Sequence, residues 1–242
     1  MENQTKVGMN RTGIQMAPVM GPDQIEYART WPAQPLEGNE DAIAALRGDY
    51  IRHAERVGAV PMPVTGRGIA TTAVGELMGR RPAVLFDKLG ERAAYERSGV
   101  RLYQAMIGKV KACEYAEKTA LLADLHYIMN EELHHYQLVV RAIKELGGDP
   151  TAQTPSADVS AVASMGIIQV LTDPRTTLAH GLQVLLTAEM TDKACWELLV
   201  ELVREAGQED MAALFQDALE IEREHEIRVK RWLQVLLSDE GA

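Results

Sequence analysis

Apolar residues recur along most of this chain at alternating steps of three and four, the repeat that lines one face of an α-helix. Four long segments carry it with almost no Gly or Pro inside: 83–111, 118–146, 176–206 and 208–237. The first stripe is Leu89, Ala93, Glu96, Val100, Tyr103, Ile107, Val110, and the second is Leu121, Leu125, Ile128, Glu132, His135, Val139, Ala142, Leu146. The third runs Leu178, Leu182, Leu185, Glu189, Asp192, Trp196, Leu199, Val203, and the fourth Phe215, Ala218, Glu222, His225, Val229, Trp232, Leu236. No segment alternates with period two at useful length, so the fold class is all-α. "LGGDP" ends the second helix with a glycine cap followed by proline. About thirty residues then precede the third, and "PSADVSAVASMGIIQVL" within them predicts a short helix. Four helices with one long crossover between the second and third make a four-helix bundle of two hairpins.

The N-terminal third has a different texture. Residues 1–38 are rich in Gly, Pro and Met, and predict irregular structure wrapped over another part of the molecule. "NEDAIAALRGDYIRHAERVG" predicts a helix with Asn39 as N-cap and Gly58 as terminator. "VPMPVTGRG" reads as a loop and "IATTAVGELMGRRP" as a short helix closed by Pro82. The organisation expected is an N-terminal, mostly helical extension over 1–82 packing on a bundle over 83–238.

Each bundle stripe is interrupted near its middle by a glutamate, and two of the four glutamates are followed three residues later by histidine. Residues three apart on a helix project from one face, about one turn along the axis. Glu132 with His135, and Glu222 with His225, can therefore each present an oxygen and a nitrogen to one ion. Four buried carboxylates left bare would each cost several kcal/mol or more, and no Lys or Arg stands on the same stripes to pair with them. Two divalent cations would balance the four carboxylates, with the imidazoles neutral.

Net charge and cysteine usage narrow the setting. A net charge of −10 excludes a nucleic-acid or anionic-membrane surface as the main partner, and no run of 18 apolar residues exists to span a bilayer. Cys113 and Cys195 form no CxxC pair and read as reduced thiols, so a cytoplasmic protein without a secretory signal is expected.

With these residues in view, the chain over roughly 84–237 resembles the ferritin-like superfamily, particularly the rubrerythrin and bacterioferritin branch. "NEELHHYQLVVRAIKELGGDP" is similar to that family's second-helix motif, with Glu132 and His135 at the ligand positions rather than Glu131 and His134. Glu189 precedes Glu222 by 33 residues, similar to the family's spacing. The first half departs from it: the residue 33 before Glu132 is Gly99, and Glu96 lies 36 before. Glu96 is retained because Tyr103 follows it by seven residues, like the family's Glu-to-Tyr spacing, which places the extra residues in the "KVKACEYAEKTA" turn.

The resemblance implies a di-metal site of Glu96, Glu132, His135, Glu189, Glu222 and His225. Asp192 matches an additional carboxylate of rubrerythrins, either a seventh, exchangeable ligand or an acceptor behind the ligands. Tyr103 and Trp196 are redox-active or proton-donating neighbours, or aromatic core packing; His126 and His134 fall on the surface. No rubredoxin-type cysteine module is present. The cofactor implied is two Fe or two Mn ions, with mixed occupancy allowed, and the partners are a small oxidant (H2O2 or O2), an external electron donor and further copies of the chain. The activity implied is an oxidoreductase reacting with peroxide or O2; the alternatives are a ferroxidase or iron-storage protein, and a manganese catalase.

Overall fold

A computed structural model describes residues 13–31, 40–61, 66 and 82–240. These residues hold seven α-helices, a short 3-10 turn over Ile14–Met16, and no strand. They divide into two compact units, one ending at Arg56 and the other beginning at Val57.

The first unit contains α1 (Met20–Thr30) and α2 (Glu40–His53). The helix at 20–30 corrects the expectation of irregular structure there. Pro22 falls in the first turn, where a missing N–H costs nothing, and the helix-compatible run "DQIEYART" follows it. The second helix ends at His53, five residues before the Gly58 expected to stop it. The short helix expected before Pro82 lies outside the described residues. Pro82 itself opens the next helix, where its fixed φ is already helical.

The second unit is the bundle: α3 (Pro82–Ala112), α4 (Lys118–Glu145), α6 (Leu178–Glu205) and α7 (Glu209–Glu240), with α5 (Pro155–Thr172) in the crossover. Two helix ends turn on glycine. Gly147 (φ 84) follows α4, and Gly148 N–H reaches back to the Ile143 carbonyl at 2.9 Å. Gly207 (φ 73) follows α6, and Gln208 N–H reaches the Val203 carbonyl at 2.9 Å. Both are six-to-one closures that need a left-handed residue, and they set the sharp exits from the helices. A reciprocal cap starts α6: Thr177 Oγ1 accepts from His180 N–H at 3.2 Å while the His180 ring accepts from Thr177 N–H.

The apolar side chains form two clusters. One joins the C-terminal half of α3 and of α7 to the N-terminal half of α4 and of α6, from Leu102, Leu125, Leu182 and Val229 outward. The other joins the opposite halves, through Leu89, Val139, Leu199 and Phe215. The pairing fixes the helix directions as up, down, down, up. Because α4 and α6 run parallel, the chain must travel the length of the bundle between them, and α5 makes that return. At 18 residues it spans about 27 Å, and it packs on α3 and α6. Asp87 on α3 anchors its start, accepting from Ser156 N–H at 2.9 Å and Ser156 Oγ at 2.7 Å. This is the ferritin-like four-helix arrangement.

Candidate metal centre

Between the two apolar clusters, at mid-height on all four bundle helices, lies a polar layer. Glu96, Glu132, His135, Glu189, Asp192, Glu222 and His225 are each at most 2% exposed. They converge: Glu132, Glu189, Glu222 and His225 each place one ligating atom within 4.8 Å of the others'. Glu96, His135 and Glu222 do the same, as do Glu96, Glu132, Asp192 and Glu222. Glu222 is common to all three groups. Its Oε1 lies 2.6 Å from His135 Nδ1 and its Oε2 3.3 Å from His225 Nδ1, and the two imidazole rings are 6.0 Å apart.

The layer is rich in acceptors that nothing satisfies. Among the described residues, both oxygens of Glu132, Oε2 of Glu96 and of Glu189, and Nε2 of both histidines are buried without a hydrogen-bond partner. Each such atom is expensive to bury, and several carboxylates facing one another make it worse. Burial followed by mutual repulsion holds the Glu132 and Glu189 carboxyls far above their ordinary range. Glu96 is also raised, chiefly by burial and then by Asp192. Glu222 goes the other way: burial works to raise it, but its contacts with the two histidines hold it down, at about 2. Oxygen and imidazole donors aimed at shared points are what a divalent cation requires, so the donor set fits metal ions.

The aromatic neighbours touch the candidate ligands. Tyr103 is buried and donates from its hydroxyl to Glu189 Oε1 at 2.5 Å. Burial and the neighbouring Glu189 push the phenol well above its ordinary value, so it keeps its proton. Trp196 donates from its indole N–H to Glu96 Oε1 at 2.8 Å, packing on Phe215 and against His135. His126 and His134 are exposed.

A cation is present that the stripes miss. Arg92 is 2% exposed; its Nε lies 3.0 Å from Glu96 Oε1 and one terminal nitrogen 2.8 Å from Asp192 Oδ1. No Lys or Arg stands on the stripes themselves, but Arg92, one residue off the first, pairs with two of these carboxylates. On α3 the buried row is Arg92, Glu96, Gly99, Tyr103, Met106, Val110, itself a 4-3-4-3-4 series, and extending the stripe backward from Glu96 by four rather than three would have found it. Gly99 is also part of the site. A Cβ there would fall 1.9 Å from Glu132 Oε2, so the absence of a side chain leaves the space that Glu132 occupies.

No protein-family model matches this chain, and no curated protein does. Among solved structures it is similar to a Bacillus anthracis str. Ames protein described as ferritin like, diiron-carboxylate. The two are 18% identical with a TM-score of 0.49, over 62% of this chain and 94% of that one. A likeness of that size carries no argument about chemistry, and the fold class here rests on the helices, their directions and the crossover.

Proposed function

We propose that the polar layer binds two iron or two manganese ions and that the protein is an oxidoreductase reacting with peroxide or O2, re-reduced by an external donor. One observation carries the reading: carboxylate and imidazole groups from all four helices meet in a dry interior with their ligating atoms unsatisfied. Glu132, Glu189, Glu222 and His225 would hold one ion, and Glu96, His135 and Glu222, with Glu132, the other. Two adjacent redox ions supply the capacity to pass two electrons to one small oxidant.

The chain's own contribution is placement and exclusion. Trp196 and Tyr103 each tie down one oxygen of a glutamate, Glu96 and Glu189 respectively, which leaves the other oxygen free for an ion. The Tyr103 hydroxyl holds its proton at Glu189 Oε1, and so would fix that carboxylate's orientation toward a bound ion. Leu102, Met106, Leu185 and Ala188 on one side, and Ala93, Val139 and Phe215 on the other, keep bulk water away. Free Cys113 and Cys195 are in keeping with a reducing, cytoplasmic setting.

The test is elemental analysis of purified protein, followed by anaerobic addition of Fe(II) or Mn(II) and then of peroxide. Two ions per chain and peroxide consumption dependent on added reductant are expected. A ratio near zero refutes the reading. Oxygen release from peroxide without reductant would mark a catalase instead, and accumulation of hundreds of irons in a large assembly would mark storage.

A further inference from the structure

Arg92 is a full charge placed inside the bundle, and burying it unpaired would be very costly. Aromatic rings and acidic groups flank it, although its second terminal nitrogen is buried without a hydrogen-bond partner. It lies 4.6 Å over the Tyr95 ring, whose hydroxyl is fixed to the Ala188 carbonyl at 3.1 Å, and 5.9 Å from the Trp196 ring. Besides its pairs with Glu96 and Asp192, it donates to the Asp192 carbonyl at 3.3 Å. Both the side chain and the backbone of Asp192 are thus held by one guanidinium across the α3–α6 seam.

Charge counting gives this arrangement a meaning. Among the described residues, the buried Asp, Glu, His, Lys and Arg side chains are five carboxylates, two histidines and Arg92. With every carboxylate ionised, five negative charges against one positive leave four, the number that two divalent ions carry. The two groups of ligating atoms that contain an imidazole both omit Asp192.

We propose that Arg92 is a positioning residue that holds Asp192 off the metal ions and brings the buried layer to neutrality when two divalent ions are present. The ligands are then six, Glu96, Glu132, His135, Glu189, Glu222 and His225, and Asp192 is the partner of Arg92 rather than a seventh ligand. The inference rests on the metal-centre reading above.

The test uses the full chain titrated anaerobically with Co(II), whose d–d absorption reports coordination number and ligand set. Three variants are compared with the parent: Asp192→Asn, which keeps an acceptor for Arg92, Arg92→Gln, and the double variant. Asp192→Asn is expected to bind two Co(II) with an unchanged spectrum, because no ligand is lost. Its second ion should bind about tenfold more weakly, because the loaded site now carries an excess positive charge in a low-dielectric interior. Arg92→Gln frees Asp192, which joins an ion and weakens the absorption as coordination rises. In the double variant the charge is again balanced, so the parent spectrum and second-ion affinity return to within about threefold, a coupling that independent roles would not give.

A changed spectrum in Asp192→Asn overturns the proposal while leaving the metal centre standing. So does a double variant that binds its second ion no better than Asp192→Asn alone. If the parent chain binds no Co(II), the metal-centre reading falls first and this inference with it. Should Arg92→Gln fail to fold, Asp192→Asn and the double variant still decide the question.

Discussion

Replacing Gly99 by alanine should separate stability from metal binding. The new Cβ would lie 1.9 Å from Glu132 Oε2, 2.8 Å from its Cδ and 3.4 Å from its Cγ. Ordinary contact begins near 3.4 Å, so the oxygen must retreat by about 1.5 Å. Metal–oxygen bonds tolerate only about 0.2 Å, so a shift of that size removes Glu132 from at least one ion. In the metal-free chain the same change is mild, because a carboxylate at the end of a side chain can turn aside. Alanine also gains about 0.5–1 kcal/mol over glycine within a helix. The expected result is a metal-free protein melting about 1–4 °C higher or unchanged, with bound metal reduced from two per chain to one or none. Gly108→Ala is the control: that glycine is exposed on the same helix with nothing within 4 Å of its Cβ, so it should gain the stability and keep both ions. The assays are thermal melting with and without metal, and metal-to-chain ratio. If Gly99→Ala retains two ions at parental affinity, Glu132 is not a ligand and the reasoning fails.

Other expectations follow from the same layer. Glu222→Gln removes the residue common to all three ligand groups and should cost at least one ion per chain; the metal-free protein should also melt lower near neutral pH, because the contacts with His135 and His225 that hold Glu222 ionised are lost. Tyr103→Phe strips the donor from Glu189 Oε1, so the metal-free protein should lose about 1–2 kcal/mol in a denaturant titration while still taking up two ions. For pH, burial and mutual repulsion raise Glu96, Glu132 and Glu189 well above 4.5, and burial raises Asp192 from 3.8 to about 8. A raised folded value means the folded chain holds these protons more tightly than the unfolded one. The stability they lend is complete below about pH 4 and disappears as pH climbs through the folded values, Asp192's near 8. The melting temperature of the metal-free protein should therefore fall between pH 5 and 8, and the increment added by metal should grow, since the ions bind the ionised carboxylates. A flat profile in both states would count against the buried charges.

Much of this was legible in the sequence because one signal repeats. Every residue on the second, third and fourth stripes is buried, and on the first only Val100 is partly exposed. A 3-4 repeat over some thirty residues leaves little freedom in which face turns inward, so polar residues on it are committed to the interior. Glu96 was legible for the same reason despite its irregular spacing. Arg92 was not, because an arginine beside an apolar stripe ordinarily reaches outward to water, and only the carboxylate of Asp192 on another helix tells otherwise. Gly99 stands 33 residues before Glu132, where the family spacing places a ligand; its value lies in what it leaves empty, which no pattern of polar and apolar residues records. The helix at 20–30 was missed because Gly21 and Pro22 signal a turn when they are in fact its first residues.

Each of the three ligand groups draws on both hairpins, one built from α3 and α4 and the other from α6 and α7. Half a chain, as it exists during synthesis or after partial unfolding, holds at most an incomplete set of donors. Docking of the halves is thus the event that assembles the donor set, and a loosened molecule loses it as a whole.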